Sequence, residues 1–300
     1  MPREAIGETD PQLLQEMLSL ISAQRLEVIS LAEVRRRLAE RDLDRKFVCF
    51  TFDGAYRSIK DGILPMFEQR GIPFTVFAGS DYLDGRSAPW WLLLEALVKH
   101  ADRISLQIGD EAESPILARS HAEKRLAYAK LFRGLKDMDA AERARRLEAE
   151  MTLHGIEAEG VARREMLSRD DLRGLAQSEL VTIGTMGGGN TELPDLSYDQ
   201  ARENLSRSIE ILESATGQRP CDLAFASGTA VAARDIEIAR DLGLASAVTQ
   251  IEGSLWPEHA RELLALPRIA LDNDPATLVR ALMLSGGATP DGGTVFQKAI

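Results

Sequence analysis

Histidine and cysteine are scarce in this chain and positive charge is outweighed by negative, and each of these narrows what it can be. There are two cysteines in 300 residues, Cys49 and Cys221. Two are too few for a disulfide framework in a chain of this length. Each sits in an apolar run, which predicts two small buried core residues. Histidines number four: His100, His121, His154 and His259. Basic residues number 36 against 47 acidic ones, a net charge of −11. Such a chain repels nucleic acid and anionic membrane at long range, so neither is a favoured partner. No stretch approaches the ~18 uninterrupted apolar residues of a membrane span. The first ten residues, Met1 to Asp10, hold no basic patch followed by an apolar segment. No signal peptide is visible, and a cytoplasmic location is the default expectation.

What is present suits a soluble α/β protein. Hydrophobic residues make up 44% and charged residues 28%. Single α/β barrels routinely reach about 250 residues or more, so one such domain over 1–300 accommodates the chain. Pro11 follows Asp10 as an N-terminal helix signal, and Leu13, Leu14, Met17, Leu18 and Ile21 give that helix an apolar stripe. Ser30 and Glu33 have the spacing of a capping box, which predicts a second helix to about Ala39. Largely apolar runs at Phe47–Phe52, Pro73–Ala78, Leu180–Gly184, Asp222–Ala226, Ala245–Thr249 and Leu264–Leu271 read as strands, the uncharged Phe47–Phe52 as one buried on both faces. Helical patterns lie between them, including one that Ser197 caps, from Tyr198 to about Ala215. This alternation predicts a parallel sheet built from βαβ units.

Residues from about 86 to 175 break the alternation and read as a helical insert. The pair Trp90 and Trp91 has two readings, a sugar-stacking platform or core. Arg143, Arg145 and Arg146 read as a solvated helix face. An exposed apolar face on this insert would favour a role as an assembly partner. The glycine-rich tail from about Ser285 reads as loop.

In a parallel barrel the side chains at strand C-terminal ends face the active site. Those ends carry Asp53, then Thr185 to Asn190, then Ser227 and Gly228, and finally Pro267-Arg268. Thr51-Phe52-Asp53-Gly54-Ala55-Tyr56 resembles the first motif of the polysaccharide deacetylase (NodB-homology) family, Thr-Phe-Asp-Asp-Gly-Tyr. Ile183-Gly184-Thr185-Met186-Gly187-Gly188-Gly189-Asn190 stands where that family has Ile-Gly-Ser/Ala-His-Thr-x-x-His. Ala224-Phe225-Ala226-Ser227-Gly228 stands at Ala-Tyr-Pro-x-Gly, and Leu266-Pro267-Arg268-Ile269 matches Leu-Pro-Arg-Ile. The resemblance spans about residues 10 to 275. It implies a distorted (β/α) barrel of about seven parallel strands, and enzymes that remove acetyl groups from polysaccharides.

The family's chemistry depends on a divalent metal, usually zinc, held by an aspartate and two histidines. The metal polarises the acetyl carbonyl and acidifies its water. By resemblance, Asp53 holds the base position, Arg268 orients it, and Ser227 offers a backbone N–H to the oxyanion. Tyr56 and Phe225 would line the substrate, although Tyr56 on its own reads as a packing or loop residue. The three metal positions are degenerate: Gly54 has no side chain, Met186 offers a soft thioether and Asn190 a weak amide. None of the four histidines stands near a motif. No metal and no other cofactor is therefore expected. The resemblance implies an inactive member of the family, linked to carbohydrate metabolism through a carbohydrate or a polysaccharide-synthesis protein as partner. The alternative is an active deacetylase that uses Asp53 without the usual metal. Asp53 is either a relic base or a structural acid. Gly187 to Gly189 form either an anion-binding nest or a plain loop, and a loosely built one. Family members usually open with a strand before the first helix. This chain begins at about that helix, which predicts an open seam in the barrel.

Overall fold

A computed structural model describes residues 11–108, 115–189, 193–225, 231–271 and 293–299. The elements run α1 (Pro11–Ala23), β1 (Glu27–Val28), α2 (Leu31–Glu40), β2 (Phe47–Asp53), α3 (Leu64–Glu68) and β3 (Phe74–Ala78). Next come α4 (Trp90–His100), β4 (Arg103–Ile104), β5 (Ile116–Leu117), α5 (His121–Lys136), α6 (Ala140–Leu153) and α7 (Ala158–Glu165). The alternation resumes with α8 (Arg169–Leu175), β6 (Val181–Thr185), α9 (Tyr198–Thr216), β7 (Asp222–Ala224) and α10 (Ala233–Asp241). It ends with β8 (Ser246–Glu252), β9 (Leu266–Ala270) and β10 (Gly293–Ala299). The chain forms two compact units, one of residues 1–81 with 169–300 and one of 82–168.

The first unit is a ring of parallel strands. Neighbour follows neighbour in the order β2-β10-β9-β8-β7-β6-β3, and β3 pairs back onto β2. The strand pattern predicts the parallel sheet, and its closing into a distorted barrel of seven strands is what the resemblance implies. The seam expected to stay open is filled: β10 pairs with β2 over Gly293–Ala299 and with β9 at Phe296–Gln297. The glycine-rich tail therefore contains a strand as well as loop-forming residues. Its Thr294-Val295-Phe296 stretch has the β-branched and aromatic content that a strand favours. The short β1 adds beside β2.

Period-two alternation separates the two faces of the ring. Phe47 and Cys49 of β2, Phe77 of β3, Ala224 of β7, Val248 of β8 and Leu266 of β9 meet in one apolar cluster. Leu31, Val34 and Leu38 of α2 join it. On the other face of β2, Phe50 and Phe52 meet Phe67 of α3 edge to face, at centroid distances of 5.2 and 5.9 Å. Each ring so buried contributes roughly 1.5–3 kcal/mol. Leu223 and Ala247, out of phase with Ala224 and Val248, pack under α9 and α10 with Leu205, Ile209 and Ile238.

Local signals set the helix ends. Ser197 and Gln200 form a complete capping box for α9, which Gly217 closes at φ +77°. The box expected at α2 is half formed. Ser30 accepts from the Glu33 N–H, but the Glu33 carboxylate turns to Arg36 and Arg37. A π-type turn over Ile59–Ile63 precedes Pro65, whose missing N–H cannot continue the α-helical ladder.

The second unit begins and ends close to the expected insert, and α8 belongs instead to the barrel unit. Its helices bury Leu94, Leu97, Leu131, Leu135, Leu147, Met151 and Val161. Trp90 and Trp91 are half-buried, so neither is a core residue. Trp90 lies against the Phe132 ring at 4.9 Å, and the Arg143 guanidinium is 4.9 Å from its centroid. Arg145 and Arg146 both pair with Glu142, as a solvated helix face does. Leu117, Leu126 and Leu153 are the exposed large hydrophobic residues of this unit among those described. No described helix is long and apolar enough to cross a membrane.

The cysteines differ from expectation. Cys49 is buried, but Cys221 is exposed. It stands one residue ahead of β7, before the chain enters the sheet.

Candidate functional site

Strand register sets the positions at the mouth of the ring. Asp53 pairs with Phe77, and Ala78 pairs with Thr185. One residue further on, the Gly54 N–H donates to the Phe77 carbonyl at 2.8 Å, and the Met186 N–H donates to the Ala78 carbonyl at 3.1 Å. Gly54 and Met186 thus flank the end of β3.

Asp53 continues the inner face of β2 past Phe47, Cys49 and Thr51. It is only 7% exposed, and Arg268 is 1% exposed. The guanidinium grips the carboxylate at two points, Nη1 to Oδ1 at 2.7 Å and Nη2 to Oδ2 at 2.8 Å. Its remaining donors are placed as carefully. Nε reaches the Thr249 carbonyl at 2.9 Å, and Nη1 also reaches Thr51 Oγ1 at 3.1 Å. Gln250 Nε2 donates to Asp53 Oδ2 at 3.3 Å. A planar two-point pair with further donors engaged by Thr51 and Thr249 is an arrangement that lets opposite charges stay buried. The expected Asp53–Arg268 pair is present, and Thr51, Thr249 and Gln250 complete it.

Gly54 has φ +93°, a backbone state rare for residues with a Cβ. A Cβ built there would lie 2.3 Å from Tyr56 Cε2 and 2.7 Å from Tyr56 Cζ. Tyr56 is itself buried. Met186 is half-buried, and its side chain packs against the inner apolar cluster. Asn190, Ala226, Ser227 and Gly228 lie outside the described residues. Phe225 is buried among Leu193, Leu205, Ile238 and Leu244, under the helices rather than beside Asp53.

The glycine run after β6 is firmly held, contrary to the loose turn that its composition suggests. The Gly187 N–H donates to Thr185 Oγ1 at 3.1 Å, and the Gly188 N–H donates to Asn204 Oδ1 at 2.9 Å. The Gly187 carbonyl accepts from Ser208 Oγ at 2.8 Å and from the Ser80 N–H at 3.1 Å. The Gly188 carbonyl accepts from the Asp81 N–H at 2.9 Å. Asp81 pairs in turn with Arg207 at 2.9 Å. A nest needs N–H groups aimed at a ligand. At Gly187 and Gly188 they are aimed at side chains of this protein.

A second buried carboxylate lies at the opposite ends of the strands. Asp222, the first residue of β7, pairs with Arg35 of α2 and accepts from Ser246 Oγ at 2.6 Å. The sequence pattern does not single out this pair, because its partners are 187 residues apart. Of the histidines, His259 belongs to the barrel unit, where its Nδ1 accepts from the Trp256 N–H at 2.8 Å. His100, His121 and His154 belong to the other unit.

Comparison with protein-family models finds no match, and comparison with curated protein sequences finds none. Solved structures do match. The deacetylase PplD of Streptococcus pyogenes, solved in complex with acetate, superposes with a TM-score of 0.58. The match is 17% identical and covers 93% of this chain and 91% of that one. The deacetylase domain of BpsB from Bordetella bronchiseptica gives a TM-score of 0.51 at 17% identity, over 89% of this chain and 87% of that one. The chain has the fold of these deacetylases.

A divalent metal does not fit the residues present at the corresponding positions. Gly54 offers no donor atom. The Met186 thioether is neutral and soft, and it is turned into an apolar cluster. Among the described residues, no three His, Cys, Asp or Glu side chains converge as a metal site requires.

Proposed function

We propose that this chain is a polysaccharide deacetylase-family protein that has given up the metal-dependent reaction and acts in carbohydrate metabolism by binding, through a carbohydrate or a polysaccharide-synthesis protein. On this reading 1–300 is one such domain carrying its helical insert. The supporting observation is the set of side chains at the positions the resemblance assigns to a metal: none at Gly54, and at Met186 a half-buried thioether packed against the inner apolar cluster. A base without an activated water has nothing to deprotonate.

One observation favours a second reading, an active deacetylase with an atypical site. Asp53 keeps its two-point pair with Arg268 in a buried setting, which is how a base would be held in place.

Calorimetric titration of the metal-stripped protein with zinc and cobalt, followed by an acetate-release assay on acetylated chitooligosaccharides, separates the two. No metal heat and no acetate support the binding role. Acetate release without metal would establish the second reading. Tight one-to-one metal binding would overturn the first.

A further inference from the structure

We propose that Gln250 is the ligand-reading residue of the barrel mouth, and that its side-chain amide selects an uncharged, hydroxyl-bearing sugar unit. The inference rests on the carbohydrate-binding reading above and assigns that reading a residue. The first observation is how Gln250 comes to stand there. Between the pairs Val248↔Leu266 and Glu252↔Arg268, β8 advances four residues while β9 advances two. The surplus forms a bulge, a device that re-aims side chains beside functional sites. Thr249 holds this bulge in shape: its Oγ1 donates to the Leu266 carbonyl at 3.2 Å and accepts from the Ile251 N–H at 3.1 Å. From the bulge Gln250 Nε2 donates to Asp53 Oδ2 at 3.3 Å. In the ring β10 and β9 stand between β2 and β8, so this contact crosses the mouth.

The second observation is how hydrogen-bonding capacity is spent. The Arg268 side chain is fully buried, and four of its five N–H bonds go to Thr249, Thr51 and the two Asp53 oxygens. Asp53 accepts from Arg268 at both oxygens and from Gln250 at one of them. Gln250 is the half-buried member of the cluster, so solvent reaches it. An ionised carboxylate only accepts, which fixes Nε2 toward Asp53 and leaves Oε1 and the second N–H as an acceptor and a donor side by side. Neither has a partner among the described residues. Such a pair suits a hydroxyl or an amide, groups that also donate and accept. Asp53 and Arg268 neutralise each other, so the cluster holds no unspent charge for an anionic or a cationic sugar.

An NMR titration of side-chain amides tests this in the unsubstituted protein and in Gln250→Ala, whose missing NH2 pair identifies the Gln250 signals. The probes are tetra-N-acetylchitotetraose, which is uncharged, the cationic glucosamine tetramer and the anionic tetragalacturonate. The uncharged probe should bind most tightly and shift the Gln250 NH2 signals. Its affinity should fall about 2–10-fold in Gln250→Ala, the loss of one hydrogen bond. Gln250→Met keeps the side-chain length without the amide and should lose as much, and it decides alone if the alanine variant does not fold. Equal affinity in the folded variants, or tighter binding of either charged probe, would overturn the assignment to Gln250 and leave a carbohydrate site standing. Binding of none of the three probes by the unsubstituted protein would overturn the carbohydrate reading itself, and the assignment with it.

Discussion

Arg268 and Asp53 face each other across the mouth of the ring, two nitrogens on two oxygens at 2.7 and 2.8 Å, with both side chains almost wholly buried. A buried pair of this kind contributes through completeness, since breaking it strands a charge in an apolar surrounding. Arg268→Leu should therefore cost about 3–5 kcal/mol, because the Asp53 carboxylate loses both of its guanidinium bonds. Asp53→Leu should cost a similar amount. The double variant Asp53→Leu/Arg268→Leu should be less damaged than the sum of the two. Urea denaturation of the three variants measures this directly. Strict additivity would mean that the two residues contribute independently.

The glycine run after β6 gives a second prediction. Gly187 has φ +78°, and a Cβ there would meet Asn204 Oδ1 at 2.5 Å. That oxygen is already engaged by the Gly188 N–H. Gly187→Ala should destabilise the fold by about 1–3 kcal/mol, read as a lowered midpoint in urea. Ser208→Ala removes one of the two donors to the Gly187 carbonyl and one partner of Thr185, at a cost of about 0.5–1.5 kcal/mol, since the Ser80 N–H and the Gly187 N–H still engage these groups. Little change in either variant would indicate the loosely held loop that three consecutive glycines suggest.

These loops show where sequence reading stops. The barrel strands were legible because Phe47–Phe52 and Pro73–Ala78 are uncharged runs, the form taken by strands buried on both faces. Asp53 and Arg268 were legible because each follows or sits within such a run inside a recognisable motif. The tail strand was not, because glycine and proline dominate the approach to Thr294-Val295-Phe296. Thr249, Gln250, Asn204 and Ser208 were invisible for a different reason. They are ordinary polar residues whose roles come from strand register and helix phase. Arg35 and Asp222 meet only through the closed fold.

Acid should weaken the helix that packs into the ring. Hydrogen bonds from Arg36 and then Arg37 hold the Glu33 carboxyl at about 2, below its ordinary value near 4.5. A carboxyl depressed on folding stabilises the native state above its unfolded value, and that contribution fades as pH falls through the folded one. The loss should therefore develop between about pH 4.5 and pH 2. Glu33 is partly exposed, so screening limits the effect to about 1 kcal/mol or less. Denaturant midpoints across this range should fall less steeply in Glu33→Gln than in the unsubstituted protein. Parallel slopes would show that the acid response originates elsewhere.

The two cysteines report on closure of the ring. Cys49 lies on the inner face of β2, fully enclosed, and burial followed by the nearby Asp222 carboxylate pushes its thiol well above the ordinary range. Thiolate is the reactive form, so Cys49 is protected both by access and by protonation. Cys221 is exposed ahead of β7. A thiol reagent such as Ellman's should therefore titrate one equivalent in the native protein at neutral pH and a second only on unfolding. Cys221→Ser should abolish the fast equivalent and leave the slow one. Its rate then measures how often β2 becomes accessible. Deleting the strand Gly293–Ala299 should speed that slow labelling, since β10 is what pairs with β2 on the side facing β9. Rapid labelling of both thiols in the intact protein would mean that the inner face is open to solvent, and the closed ring would then be the wrong description of its solution state.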